Sequence, residues 1–139
     1  MSIAAICGAG YFAKGLEPAT EEEPSMHFNH IHVRVRDLPA AVAWMRDVWK
    51  VDPDFENDRM ASLPLGSFWL FLDCADEDTT ATVGFETDDC DRDFKALAKR
   101  GAKRLEEPAD RPWGARTAYI QGPGRLRFEL EQALTETAT

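Results

Sequence analysis

The clearest pattern in the chain is a strand-like alternation that runs directly into a helical stripe. Between residues 29 and 36, apolar and polar side chains alternate, which predicts a β-strand with one buried face. Asp37 follows as a helix N-cap, and a stripe with steps of four, three and four residues comes next. We expect this helix to end at Asp52-Pro53. The apolar positions are Ile31, Val33 and Val35 in the strand and Leu38, Val42, Met45 and Trp49 in the helix.

The same pattern returns 52 residues later, where an offset of 52 carries Asp37 onto Asp89. This offset also pairs Ile31 with Val83, Val33 with Phe85, Val42 with Phe94 and Met45 with Leu97. Further strand-like runs follow at 58–63 and 67–73 in the first half and at 116–121 and 126–131 in the second. Repetition of this kind predicts two similar modules, about 28–73 and 80–132, each with a strand, a helix and two or three further strands.

Each half is too small for a secure core of its own, so we expect both to pack as one domain over residues 27–139. The helix of each half covers one sheet face, which leaves the other face free to curve around a cavity. Residues 102–115, rich in charge and proline, are predicted to be a loop, and residues 1–26 an N-terminal extension.

The charge composition limits the classes of partner that the protein can bind. The 25 acidic and 16 basic residues give a net charge of −9, which argues against nucleic acid and anionic membranes. The three cysteines show no CxxC spacing, so we expect reduced, buried thiols. No apolar run is long enough to span a membrane, and the first residues lack the positive start of a secretory signal, so we expect a cytoplasmic protein.

Two segments resemble a known superfamily. Residues 30–38 (HIHVRVRDL) and 44–48 (WMRDV) are similar to the opening strand and helix of glyoxalase and bleomycin-resistance proteins, the vicinal-oxygen-chelate superfamily, which includes extradiol dioxygenases. Residues 112–116 (PWGAR), 122–125 (GPGR) and 128–130 (FEL) resemble its closing hairpin. The resemblance implies an α+β fold of tandem βαβββ modules, a curved mixed sheet around a cleft, and a homodimer.

The resemblance also implies where a metal would bind, at four symmetric strand positions. His30 and Glu129 occupy two of them. Thr82 is the repeat partner of His30, and the last strand of the first half reads FWLFL at 68–72, which cannot ligate an ion. We therefore expect no cofactor; the alternative is one divalent iron, nickel, zinc or manganese ion held by His30 and Glu129.

Strand alternation places two polar rows on sheet faces. His30, His32 and Arg34 form one row, and Arg127, Glu129 and Glu131 form the other. These rows line a binding cleft if Ile31 and Phe128 pack under the helices; the alternative is plain solvent exposure. His30 and Glu129 can also form a hydrogen-bonded pair without metal, and His32 can join them as a second imidazole ligand of an ion.

Trp113 and Arg116 are further candidates. Trp113 either stacks on a ligand or covers the hairpin, and Arg116 pairs with a ligand carboxylate or with Glu129. Six further aromatic residues are assigned to the core or a dimer contact because their spacing follows the apolar stripes; they are Trp44, Trp49, Trp69, Phe71, Phe85 and Phe94.

The resulting hypothesis is a small-molecule-binding protein without a complete metal site, in which His32, Arg34, Trp113, Arg116 and Arg127 contact the ligand. The alternative is a metal-dependent glyoxalase-like lyase or isomerase, or a dioxygenase, that uses His30 and Glu129, with Glu129 as the catalytic base. A third possibility is a vestigial cleft in a protein that serves only assembly.

Overall fold

The computed structural model describes residues 26–134, which form two four-stranded sheets with one helical segment each. The elements in chain order are β1 (His30–Val35), α1 (Leu38–Trp44, continued by the π-helical segment Met45–Trp49), β2 (Phe55–Glu56), β3 (Met60–Leu65), β4 (Phe68–Cys74), β5 (Thr82–Glu86), α2 (Cys90–Lys99), β6 (Arg104–Arg111), β7 (Ala115–Gln121) and β8 (Arg127–Ala133). This order confirms the predicted α+β fold of tandem βαβββ modules. The predicted extension lies outside the described residues except for Met26.

The two sheets have the same topology. Their strand orders are β1-β4-β3-β2 and β5-β8-β7-β6, and in each the first pair is parallel and the rest antiparallel. In register, His32 lies opposite Phe71, and Gly84 lies opposite Glu129. Because the 52-residue offset carries position 32 onto position 84, Phe71 occupies in the first module the place that Glu129 occupies in the second.

Both predicted helix caps are confirmed. The Asp37 carboxylate accepts a hydrogen bond from the Ala40 N–H at 3.0 Å, and the Asp89 carboxylate accepts one from the Arg92 N–H at 3.0 Å. These bonds satisfy N–H groups that the first turn of a helix leaves without a partner. The first helical segment ends at Lys50, whose left-handed φ of 63° turns the chain before Pro53.

One hydrophobic core joins the modules. Trp44 and Trp49 of the first module pack edge-on against the fully buried Phe128 of the second, at 5.6 and 5.0 Å between ring centroids. Trp49 also lies 4.4 Å from Phe85, and Arg100 donates to the Val48 carbonyl at 2.6 Å. The halves therefore pack as a single unit, as their size requires.

The structure corrects three sequence-based expectations. Most of the predicted loop at 102–115 is strand β6, which tolerates its proline because it lies at a sheet edge. The two-residue strand β2 escaped prediction because it is set only by pairing with β3. Cys90 is buried as expected, whereas Cys74 is exposed at the end of β4. Within residues 26–134, no helix has the length and hydrophobicity to span a membrane.

Candidate functional site

The first sheet exposes a face that combines imidazole and aromatic rings, called here the first open face. Its side chains alternate with core residues of the same strands, such as the buried Val33 and Leu70. Register brings the two strands into matched rows, and the face consists of His30, His32 and Arg34 from β1 with Trp69, Phe71 and Asp73 from β4.

Phe71 is the centre of this face. The His30 ring stacks on it at 5.0 Å between centroids with the planes 29° apart, and the His32 ring meets it edge-on at 4.6 Å. The two imidazoles lie 5.4 Å apart. Three rings thus form one cluster whose geometry suits contact with a flat ligand.

Short hydrogen bonds orient the two imidazoles. Nδ1 of His30 lies 2.7 Å from Oδ1 of Asn29, and Nδ1 of His32 lies 2.9 Å from Oδ2 of Asp73. Both members of the His32–Asp73 pair are partly exposed. Among residues 26–134, no hydrogen bond uses Nε2 of either ring, so these atoms are available to a ligand.

Trp69 extends the same face toward the loop between α1 and β2. Its indole N–H donates to Oδ2 of Asp54 at 3.0 Å. This hydrogen bond is the main reason that the pKa of the Asp54 carboxyl lies below its ordinary value. The indole is thereby fixed at one end of the aromatic row.

The second sheet exposes a polar face, called here the second open face. Tyr119 of β7 donates its hydroxyl to Oε2 of Glu129 at 2.8 Å, which raises the pKa of the Tyr119 phenol. Gly84 lies beside this carboxylate, where an added Cβ would stand 3.4 Å from Oε1. The face consists of Thr82, Gly84 and Glu86 from β5, Arg127, Glu129 and Glu131 from β8, and Tyr119 from β7; Thr117 of β7 lies on the same side of the sheet but is fully buried.

Arg127 covers the Tyr119 ring. Its guanidinium carbon lies 4.4 Å from the ring centroid, a cation–π contact, and Nη2 donates to Oε2 of Glu106 at 3.1 Å. Glu106 also accepts from Arg111 at 3.1 Å. The Nε of Arg127 is buried and has no hydrogen-bond partner within the described residues. The Tyr119–Glu129 pair is therefore held on one side by a chain of ion pairs.

Two predicted ligand contacts lie elsewhere. Arg116 and Glu129 lie on opposite faces of the second sheet. Arg116 binds Asp91 of α2 through two bonds of 2.8 and 2.9 Å, and it binds Asp110 at 2.9 Å. The expected alternative of an Arg116–Glu129 pair is therefore wrong. Trp113 lies in the turn between β6 and β7 and is 64% exposed.

Only part of the expected metal-ligand set is present in the described residues. Residues 26–134 contain no group of three or more histidine, cysteine, aspartate or glutamate side chains arranged to hold an ion. Phe71 and Thr82 supply no imidazole or carboxylate at two of the four expected positions. Within residues 26–134, no hydrogen bond or ion pair joins His30 to Glu129. His30 pairs with Asn29, and Glu129 pairs with Tyr119.

A comparison with family models matches residues 27–130 to the Glyoxalase/Bleomycin resistance protein/Dioxygenase superfamily. The chain belongs to this superfamily. A superfamily protein from Nocardioides is 21% identical, with a TM-score of 0.72 over 84% of this chain and 89% of its own. Lactoylglutathione lyase from Agrobacterium tumefaciens is 19% identical, with a TM-score of 0.68 over 79% and 96%. TioX from Micromonospora sp. ML1 is 21% identical, with a TM-score of 0.63 over 78% and 100%.

These structural likenesses show the superfamily fold. No curated protein matches the sequence. Sequence reasoning found His30, His32, Arg127 and Glu129 but missed Asp73 and Tyr119 as their partners. Alternation alone could have placed Asp73 with Phe71, whereas pairing Tyr119 with Glu129 requires the register of two antiparallel strands.

Proposed function

We propose that this superfamily member binds a small organic molecule on its open faces and works without a resident divalent metal. The supporting observation is the Phe71 position. A phenyl ring stands where the second module has a carboxylate, so the first sheet places an apolar ring beside the His30 imidazole instead of an oxygen ligand. Ring contacts replace metal coordination as the chemistry of the first open face.

The two faces suggest the ligand's character. The rings of His30, Phe71 and Trp69 suit a flat apolar group, because offset or edge contacts between rings are favourable. The carboxylates of Glu129 and Glu131 suit hydrogen-bond donors or positive charge, and the net charge of −9 attracts a cation. We infer that the ligand is an aromatic compound that carries donors or a cationic group.

The test combines metal analysis with a binding screen. Protein purified without chelator is analysed for iron, nickel, zinc and manganese, and then screened by thermal shift against aromatic amines, since a ligand of the folded state raises its apparent stability. We expect substoichiometric metal and at least one hit that is lost in His30→Ala. His27→Ala is the matched control, because His27 is exposed and lies outside β1. Absence of any hit would contradict the proposal and favour a vestigial cleft.

The second candidate is an enzyme, and the Tyr119–Glu129 pair is the observation in its favour. A carboxylate and a phenol 2.8 Å apart can hold and move a proton. Near-stoichiometric metal that disappears in both His30→Ala and Glu129→Gln would support this candidate and reject the metal-free proposal. Loss in only one variant would also reject it, because the protein would still carry a resident metal.

We also propose that the protein acts as a homodimer. The first module exposes two large aromatic side chains, Phe28 at 74% and Phe55 at 52%, and burial against a second copy would remove them from water. Light scattering coupled to size-exclusion chromatography measures the mass directly. A monomer at micromolar concentration would contradict this assignment.

A further inference from the structure

A cavity of about 340 Å³ lies where the two modules meet. It lies between the start of α1 and the turn that joins β7 to β8. The described residues that line it on the first-module side are Arg36, Asp37, Ala40, Ala41, Trp44 and Asp78, and on the second-module side Gly101, Lys103 and the turn at 121–124.

Four charged side chains line this cavity, and only the two carboxylates have hydrogen-bond partners among residues 26–134. Asp37 already accepts from the Ala40 N–H, and Asp78 accepts from the Arg36 N–H at 2.8 Å. The side chains of Arg36 and Lys103, by contrast, show no hydrogen bond or ion pair with any residue between 26 and 134. The lining carries two cations and two carboxylates, so its formal charges balance. Each carboxylate accepts a backbone N–H, whereas Arg36 and Lys103 have no partner among residues 26–134, so these two side chains are the groups left to bind a ligand carboxylate.

Trp44 provides an apolar wall. The fully buried Phe128 holds the indole edge-on at 5.6 Å, so its orientation is fixed by the core. At Gly101, another lining residue, an added Cβ would meet no atom within 4 Å, so the space at this position is open. A planar ring can contact the indole here while a charged group reaches the two cations.

We propose that this cavity binds a small aromatic carboxylate. The carboxylate pairs with Arg36 and Lys103, since a guanidinium fork matches two carboxylate oxygens, and the ring packs on Trp44. The volume lies near the lower end of small-molecule sites, which suits a single-ring compound. This site is independent of the proposed function, because none of His30, His32, Phe71, Tyr119 or Glu129 lines it.

Benzoate is the probe, followed by amide NMR of the isotope-labelled full chain. We expect benzoate to shift the amide signals of Gly101, Gly122 and Gly124, and the neutral analogue benzamide to shift them far less. Arg36→Gln and Lys103→Gln should each weaken binding by roughly two- to fivefold, as expected for loss of an exposed ion pair. The double variant should weaken it by more than either single change.

Lys99→Gln is the matched control, because Lys99 is equally exposed and does not line the cavity. It should leave the benzoate dissociation constant unchanged within error, and unshifted core signals will verify that each variant folds. A benzoate dissociation constant that is unchanged in the Arg36→Gln, Lys103→Gln and double variants, or shifts that fall on Phe71 and Tyr119 instead, would overturn the proposal. So would the absence of any shift at millimolar benzoate.

Discussion

The imidazole of His30 lies nearly parallel to the phenyl ring of Phe71, 5.0 Å away between centroids. Strand register gives Phe71 the place in the first module that Glu129 holds in the second. One structural position thus carries an aromatic ring in one half and a carboxylate in the other. The first open face therefore offers aromatic rings to a ligand, and the second offers a hydrogen-bonding carboxylate.

Replacing Phe71 by leucine tests the ring cluster. Phe71→Leu keeps an apolar side chain but removes contacts with two imidazoles, so the free energy of unfolding should fall by about 0.5–1.5 kcal/mol. Affinity for an aromatic ligand found in the screen should fall severalfold. Denaturant titration and ligand titration measure the two effects. Phe68→Leu is the control, because the Phe68 ring contacts Phe28 at a tilt of 42° and lies outside the imidazole cluster. Equal loss of affinity there would refute the assignment.

The Tyr119–Glu129 hydrogen bond predicts a stability change in alkali. This bond raises the pKa of Tyr119 above its ordinary value of 10.0, so the folded state favours the protonated phenol. Its contribution is complete below pH 10.0 and is lost as the pH rises through the folded-state pKa. We expect the wild type to lose stability in this range relative to Tyr119→Phe. Unfolding free energies that fall in parallel for both proteins would show that the bond has no such effect.

Gly122 is required by close packing. An added Cβ would lie 2.8 Å from the ring of the buried Phe128, which the core cannot move freely. Gly122→Ala should therefore lower the free energy of unfolding by roughly 1–3 kcal/mol, as overpacked cores do. Gly84→Ala, with its nearest contact at 3.4 Å, serves as the control and should cost clearly less by the same denaturation assay. Equal effects would remove the packing explanation.

Arg116 should affect acid stability and leave ligand binding unchanged. Its two bonds hold the pKa of Asp91 below the ordinary value of 3.8. This contribution is present above pH 3.8 and is lost as the pH falls through the lowered pKa, so the stability gap between wild type and Arg116→Gln should narrow in acid. Arg104→Gln, which breaks only a 3.7 Å surface contact, is the control. A large loss of ligand affinity in Arg116→Gln would contradict the placement of this residue.

Local patterns predicted what local forces determine. The caps at Asp37 and Asp89 and the alternation of β1 depend on neighbours within a few residues, and the structure confirms them. Strand β6 was missed because its charge and proline favour a loop, and only pairing with β7 extends it. A helix or strand could thus be predicted wherever its own residues show the pattern of that element.

The candidate site was only partly predictable for the same reason. Alternation identified which residues share a face within one strand, but it cannot relate faces of different strands. Arg116 lies opposite Gln132 in register, which puts it on the other face from Glu129. Knowing that register before the structure would have removed Arg116 from the site and added Tyr119.

In β4, the side chains of Leu70 and Leu72 are fully buried, and Phe71 between them points the other way. The hydrophobic core therefore depends on every second residue of the strand, and the residues between them determine what the open face presents to a ligand. A fold built from two similar modules can carry different chemistry on the open face of each module. Divergence of ligand preference then requires few substitutions and no rearrangement of the backbone.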